Sequence, residues 1–324
     1  MTNDQARCGN WHLLRRARRR HRPAVLFVLI VLAGCSGLPL PGAWPTPTPE
    51  SPLVRFDRAI ATAEAEGEAQ ARAAAYLARG DARAGTGAYE LAIDDYTRAI
   101  ELDPANARIY NNRALAHQAL GQIDAALDDL FTATELDPAY VRAYRNRVAL
   151  LEQAGNDQRL LAGDYGRLAE LEPASAGVYR YRQGVILHTL RDFAAARAAY
   201  DAALTAEPQQ VDALYERALL SYAEGRLPDA IADLNRAIQL SPRATNAYYA
   251  RGLARNAAGD QAGAIADLGQ ALALNPTYAE ALLARAALLS ARGDRAGAIA
   301  DLDRLEQREI SEDMRRAAAV LRRR

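Results

Sequence analysis

The segment YELAIDDYTRAIELDP, from Tyr89 to Pro104, decides the fold. In a helix over this segment, Ala92 and Ala99 are small enough to let neighbouring helices approach closely, and Tyr96 fills the space between them. The closing Asp-Pro ends the helix, because the residue before a proline avoids helical geometry. A proline returns at this place every 34 or 35 residues, at Pro104, Pro138, Pro173, Pro208, Pro242 and Pro276.

A period of 34 residues is typical of tetratricopeptide repeats, which have two helices per unit. Tyr89–Pro104 resembles the second helix and exit of that motif. The resemblance implies an all-α, right-handed superhelical solenoid of seven helix-turn-helix repeats over residues 73–310. The units begin at Ala73, Ala107, Val141, Gly177, Val211, Thr245 and Ala279. Glycines in the left-handed conformation are expected between the helices of a unit, at Gly87, Gly121, Gly155, Gly225, Gly259 and Gly293. Asn156, Asp192, Asp260 and Asp294 are expected to cap the following helices.

Each unit carries an arginine on its first helix and an aspartate on its second, with one exception. The fourth unit has Gln183 in place of the arginine, and it alone also has Ala199 in place of the aspartate. This joint loss predicts that the two residues pair, across one hairpin or between adjacent hairpins, through a bidentate contact. We therefore assign these charges to the scaffold: Arg79, Arg113, Arg147, Arg217, Arg251 and Arg285, with Asp95, Asp129, Asp164, Asp233, Asp267 and Asp301.

The third unit departs from the pattern. Leu161 and Leu168 replace alanines at helix crossings, and one extra residue separates Gly155 from Pro173. Bulky groups at a crossing push helices apart, so we expect a local break in the superhelix, with a hinge as the alternative.

Solenoids need polar caps at their ends. Phe56–Ile60 repeats the pattern of Tyr96–Ile100, which predicts a capping helix and connection over residues 53–72. Residues 311–324 are predicted to form a second capping helix, with acids first and arginines last, as the helix dipole favours. A basic tail that contacts lipid headgroups is the alternative for the final arginines.

The first 34 residues have the features of an export signal. An arginine-rich segment precedes ten apolar residues, Ala24 to Ala33, and a bilayer crossing needs about 20. This pattern predicts a secretory signal peptide over residues 1–34. Leu32-Ala33-Gly34-Cys35 resembles the lipobox of bacterial lipoproteins, which implies that Cys35 is lipidated and becomes the first residue of the mature chain. An ordinary signal peptide or a signal anchor is the alternative.

A proline-rich stretch over residues 35–52 follows the lipobox. Extended at ~3.1 Å per residue, this tether would hold the repeats up to roughly 55 Å from a surface, although a leader with no spacing role is an alternative. The prediction is an exported protein that is lipid-anchored to the outward side of a bacterial membrane, on its periplasmic or extracellular face.

Composition and motifs argue against several function classes. The chain has 40 basic and 40 acidic residues; without residues 1–34, which hold seven arginines and one aspartate, the balance is acidic. A nucleic-acid partner would need a basic face. The only histidines after the leader are His117 and His188, and no metal-ligand, phosphate-binding or nucleophile motif is present. We expect no enzyme activity, cofactor, metal or nucleic-acid partner.

The candidate binding residues lie on the first helices of the units. By resemblance, they line a concave groove that holds a peptide or helix of a protein partner. Tyr181, Tyr215 and Tyr249 occupy the same position in three successive units and are predicted to form a ladder; packing against adjacent helices is the alternative. Further candidates are Asn111, Asn112, Arg142, Arg145, Asn146, Arg182, His188, Tyr222 and Asn256.

A carboxylate clamp, with which some family members hold a free C-terminus, is matched only by Asn112 and Arg142. Leu77, Asp81 and Asn146 depart from it. The sequence thus predicts a membrane-anchored, non-enzymatic scaffold that binds proteins of the cell envelope. The resemblance extends to lipoproteins that assist pilus or secretin assembly or recruit cell-wall hydrolases. The alternative is a module that binds glycan or another envelope polymer through the groove tyrosines.

Overall fold

A computed structural model describes residues 51–155, 157–308 and 310–323. Cys35, the signal peptide and the tether up to residue 50 lie outside the described residues, as does Asn156. Sixteen α-helices and one 3-10 turn, Pro173–Ser175, make up the regular structure of this part of the chain. The helices are α1 (Pro52–Glu66), α2 (Ala69–Gly85), α3 (Tyr89–Leu102), α4 (Ala107–Ala119), α5 (Ile123–Leu136), α6 (Val141–Ala154), α7 (Gln158–Leu171), α8 (Ala176–Thr189), α9 (Phe193–Ala206), α10 (Val211–Ala223), α11 (Leu227–Leu240), α12 (Thr245–Ala257), α13 (Gln261–Leu274), α14 (Ala279–Ala291), α15 (Arg295–Glu306) and α16 (Glu312–Arg323).

The helices stack in the order of the sequence. From α1 to α15 each helix packs against the next, and α16 closes the stack on α14 and α15. The seven pairs from α2/α3 to α14/α15 form the repeated units, so the fold is an all-α solenoid. Ala92 and its equivalents up to Ala298 are at most 3% exposed, as close packing of the helices requires.

Two first helices begin earlier than the period predicts. The helix α2 begins at Ala69 rather than Ala73, because Gly67 ends α1 in a left-handed conformation (φ 72°) and the next residues are mostly alanine, a strong helix former. The helix α8 begins at Ala176 rather than Gly177, directly after the 3-10 turn.

The turns inside the units have positive φ, and the fourth unit reaches this geometry without glycine. Gly87 (φ 82°) and Gly225 (φ 74°) represent the common form, whereas Arg191 (φ 61°) holds the equivalent place in the fourth unit. In the third unit the extra residue falls between Gly155 and α7. Asp157 (φ 33°) caps that helix by accepting a hydrogen bond from Leu160 N at 2.9 Å.

The packing of the third unit differs from that of the others. Leu161 and Leu168 are 3% and 1% exposed and pack with Tyr144 and Tyr165 in a cluster of their own. As a result α6 and α7 contact each other less extensively than the two helices of any other unit, while α7 packs closely against α8. The bulky residues therefore loosen the hairpin and tighten its contact with the next unit.

The predicted arginine–aspartate pairs lie within the hairpins. In six units, Nη2 of the arginine donates to the aspartate at 2.5 to 2.7 Å. In several units Nη1 also reaches back to the preceding unit, as from Arg113 to Thr97 (3.1 Å) and from Arg217 to Asp201 (2.7 Å). The arginine thus makes both of the contacts considered above. It pairs with the aspartate of its own hairpin, and it also bonds to the preceding hairpin.

A second arginine contacts some of these aspartates. Arg255 Nη1 donates to Asp267 at 2.9 Å, and Arg83 Nη1 lies 2.8 Å from Asp95. Because Arg255 shares Asp267 with Arg251, a substitution at Arg255 also disturbs the scaffold.

Candidate functional site

The candidate site lies along α4, α6, α8, α10, α12 and α14, whose outer surface we call the first-helix face. Tyr181, Tyr215 and Tyr249 are half-buried on these helices. Tyr181 packs against Tyr200, with ring centroids 6.4 Å apart, and Tyr249 against Tyr278, at 4.9 Å. No ring contact among the described residues joins the three repeated tyrosines to each other. They therefore stand at regular intervals, each wedged against a neighbouring helix.

Burial perturbs the hydroxyl groups of this set. It raises the pKa of Tyr278 to about 12, with smaller contributions from Tyr249, Tyr215 and the Glu280 carboxylate. It also raises the pKa of Tyr215 and Tyr249. The rings consequently stay neutral and present apolar surface at physiological pH. Tyr222 is the most open member, with 38% of its surface exposed.

The asparagines of the candidate set bond to one another and to Asp81. Asn112 Nδ2 donates to Asp81 Oδ1 at 2.8 Å, and Asn112 Oδ1 accepts from Asn111 Nδ2 at 3.1 Å. Asn146 Nδ2 in turn donates to Asn111 Oδ1 at 2.8 Å, and Asn111 is fully buried. Since Tyr96 also donates to Asp81 at 3.0 Å, this chain stabilises the contact between successive first helices.

The candidate arginines differ in their freedom to bind a partner. Arg145 pairs with Glu172, and Arg182 lies 3.3 Å from Glu152. Arg142 is exposed and makes no hydrogen bond or ion pair with another described residue. Of the clamp positions, therefore, Arg142 is open to a ligand, whereas Asn112 is occupied by Asp81.

The remaining candidates lie at the edge of the set. His188 Nδ1 is 3.8 Å from Glu216, and its ring meets Phe193 edge-on with centroids 5.6 Å apart. Burial raises the pKa of Glu216, which the nearby His188 opposes. Asn256 is exposed.

A cavity that the sequence did not reveal opens where the third unit loosens. Its volume is about 740 Å³, and it is bounded by α6, α7, α8 and the start of α10. Tyr181 and Arg182 line it, together with Val178 and Val185, which are 46% and 36% exposed. The repeat pattern did not predict the exposure of these valines. The extra residues of units three and four make it uncertain which positions of the other units correspond to them.

The tyrosines on the second helices differ in whether their hydroxyls have a hydrogen-bond partner. Tyr96 and Tyr165 donate to Asp81 and Glu152, at 3.0 and 2.5 Å. Tyr200 holds the equivalent place in the fourth unit, where its buried hydroxyl has no partner among the described residues. Nowhere in residues 51–155, 157–308 and 310–323 do His, Cys, Asp and Glu side chains cluster as a metal ion would need.

Comparison with known proteins agrees with this architecture. A TPR repeat profile matches residues 80–121, and tetratricopeptide repeat profiles match residues 107–140 and 181–245. The chain therefore contains tetratricopeptide repeats (TPRs) at these residues. The described TPR helices include none with the length and hydropathy to cross a bilayer. A search of curated proteins found no match.

Solved structures resemble the TPR solenoid at low sequence identity. The C-terminal part of a TPR repeat-containing protein from Cytophaga hutchinsonii is 16% identical, with a TM-score of 0.54 over 74% of this chain and 97% of that chain. YrrB, a TPR protein with an unusual peptide-binding site, is 20% identical over 59% of this chain and 97% of its own, with a TM-score of 0.47. MamA from Desulfovibrio magneticus RS-1 is 20% identical over 53% and 97%, with a TM-score of 0.48. The first likeness shows the fold alone.

Proposed function

We propose that this chain is a non-enzymatic scaffold, anchored by lipid on Cys35 to the outward side of a bacterial membrane, that binds envelope proteins on its first-helix face. TPR proteins generally mediate protein–protein interactions, which supports a protein as the partner. The resemblance to TPR lipoproteins favours partners that build pili or secretins, or that cut the cell wall.

The observation that carries the proposal is the exposed apolar surface of the first-helix face. Val178 and Val185 lie on one helix with the half-buried Tyr181 between them, and all three line the cavity of about 740 Å³. Charged side chains border this surface at Arg182 and Asp212. Apolar surface rimmed by polar groups is typical of interaction sites, and tyrosine is enriched among interface anchors.

Crosslinking capture from intact membranes tests the proposal. The test variant, Val178→Glu/Val185→Glu, places charge on the apolar surface at exposed positions where the fold tolerates it. The control, Leu91→Glu/Leu136→Glu, changes two similarly exposed residues on second helices, 50% and 40% exposed. We expect the test variant to lose partners that the wild type and the control retain.

Two other outcomes would redirect the assignment. Identical partners for all three proteins would exclude the first-helix face as the binding surface. If no protein is captured, and cell-wall fragments bind by isothermal titration in a manner that Tyr222→Ala abolishes, the chain is a glycan-binding module instead.

A further inference from the structure

The cavity of about 740 Å³ combines an apolar wall with unpaired hydrogen-bond acceptors. The helix α8 contributes Val178, Tyr181 and Val185, and the start of α10 contributes Gln210 and Asp212. Its volume lies within the range of about 300 to 1,000 Å³ that is usual for ligand sites. The loosened hairpin of the third unit leaves the space open, since Leu161 and Tyr165 form its far side.

The acceptors at the start of α10 have no donor. The Oε1 atom of Gln210 is buried without a hydrogen-bond partner, and among the described residues Asp212 forms no ion pair. A buried acceptor without a hydrogen-bond partner destabilises the fold. A ligand that donates hydrogen bonds here would offset this destabilisation, whereas an acidic ligand would be repelled by Asp212.

The other charges of the cavity already neutralise each other. Arg182 lies 3.3 Å from Glu152, which also accepts from Tyr165. The lining therefore keeps one uncompensated charge, the carboxylate of Asp212, so the cavity favours a cation.

A buried tyrosine behind the cavity lining also lacks a hydrogen-bond partner. The Tyr200 ring contacts Tyr181, which lines the cavity, and its fully buried hydroxyl is unpaired. Burial raises the pKa of Tyr181, and the Asp212 and Glu216 carboxylates raise it further.

We propose that this cavity binds an arginine side chain of an extended segment of the protein partner. The aliphatic stem packs on Val178 and Val185, and the guanidinium donates to Asp212 and Gln210 while its flat face lies against Tyr181. Arginine suits this lining because it offers five donors in one plane and stacks on aromatic rings. The inference rests on the proposed function, since it assumes a protein partner on the first-helix face.

Selection of short random peptides on the purified full-length chain tests the inference. Peptides are selected in parallel on the wild type, on Asp212→Asn and on the control Asp229→Asn. Asp229 serves as the control because it is also exposed and also lies in the first turn of a helix. We expect arginine at one fixed position of the peptides selected by the wild type and the control, and no such preference with Asp212→Asn.

Affinity measurements on one selected peptide then locate the contact. Replacing its arginine by citrulline, which keeps the shape and removes the charge, should weaken binding to the wild type about tenfold. The same replacement should have little effect on Asp212→Asn, because the charge it would contact is gone.

The outcomes separate this inference from the proposed function. Peptides that bind the wild type but not Val178→Glu/Val185→Glu, yet show no arginine preference, would overturn the arginine pocket and leave the scaffold function intact. An arginine preference that persists with Asp212→Asn would overturn it as well. The selection of no peptide, or only of peptides that bind the Val178→Glu/Val185→Glu variant equally well, would count against both.

Discussion

Arg251 holds the carboxylate of Asp267 with two nitrogens, Nε at 2.8 Å and Nη2 at 2.6 Å. Its third nitrogen, Nη1, donates to Asn235 of the preceding unit at 2.7 Å. Asp267 is only 4% exposed, so this carboxylate depends on the arginine for compensation. One residue thus closes a hairpin and fastens it to the stack.

Removing this arginine should destabilise the solenoid. We expect Arg251→Ala to lower the free energy of unfolding by about 2 kcal/mol, less than the usual loss for a broken buried pair because Arg255 remains on Asp267. The control is Arg236→Ala, at an exposed residue of α11. Urea unfolding followed by circular dichroism measures both, and equal midpoints would contradict the pairing.

The two arginines on Asp267 should be energetically coupled. Either alone leaves the carboxylate partly compensated, so Arg251→Ala/Arg255→Ala should lose about 1 kcal/mol more than the sum of the single variants. A double-mutant cycle by urea unfolding measures this difference. Strict additivity would show that Arg255 contributes nothing to the buried aspartate.

The fourth unit offers the reverse experiment. Gln183→Arg alone places a cation beside the apolar Ala199, and Ala199→Asp alone buries an unpaired carboxylate where only 5% of the residue is exposed. Each single variant should lose about 1 to 3 kcal/mol, and the double variant should recover much of that loss. A double variant as unstable as the sum of the two would contradict the role assigned to the pair.

Arg191 holds a backbone geometry that favours glycine. Its φ of 61° lies in the left-handed region, like that of Gly225 in the next unit, at 74°. A residue with a side chain in this conformation costs about 1 kcal/mol. Arg191→Gly should therefore raise the thermal midpoint, whereas Arg159→Gly, inside the helix α7, should lower it. A lower midpoint for Arg191→Gly would indicate that the arginine side chain stabilises the turn by contacts of its own.

Ionisation of the Tyr278 hydroxyl should contribute to the loss of stability at alkaline pH. Burial raises its pKa from 10.0 to about 12 in the folded state, so the unfolded chain releases this proton first. The resulting stability is fully present below pH 10 and is lost as the pH rises toward 12. We expect Tyr278→Phe to reduce the loss of stability between these values, and Tyr222→Phe, at an exposed tyrosine, to leave it unchanged. Identical alkaline unfolding curves for both variants would contradict this.

The lipid anchor gives a prediction outside the described residues. Labelled fatty acid should be incorporated into the wild type and into Cys8→Ala, but not into Cys35→Ala, and the mass of the mature N-terminus should place cleavage before Cys35. Unlabelled wild type, or cleavage at another residue, would indicate an ordinary signal peptide.

Much of the fold follows from the repetition within the sequence. The prolines and the alanines at helix crossings recur in most units, so the hairpins and their crossings could be predicted. The joint replacement of the arginine and the aspartate by Gln183 and Ala199 revealed the ion pair. The reach of the arginine to the preceding unit could not be predicted, because its acceptor changes from Thr97 to Asp201 to Asn235. A contact made by different residue types leaves no periodic signal.

The candidate site was less predictable for the same reason. Asn112 matches a ligand-binding position in sequence, but it donates to Asp81, on the preceding first helix. The cavity depends on one extra residue in the turn before α7 and another before Arg191, which shift the register of the fourth unit. The spacing of Tyr181, Tyr215 and Tyr249 was visible, whereas their packing against neighbouring helices was not.

Site-specific photocrosslinking tests the central claim most directly. A photoreactive amino acid replaces Tyr222 on the first-helix face, or Leu240 on the second helix of the same unit, and these residues are 38% and 37% exposed. In intact cells we predict a discrete crosslinked protein from position 222 and none from position 240. Crosslinks from position 240 alone, or the same products from both positions, would contradict binding on the first-helix face.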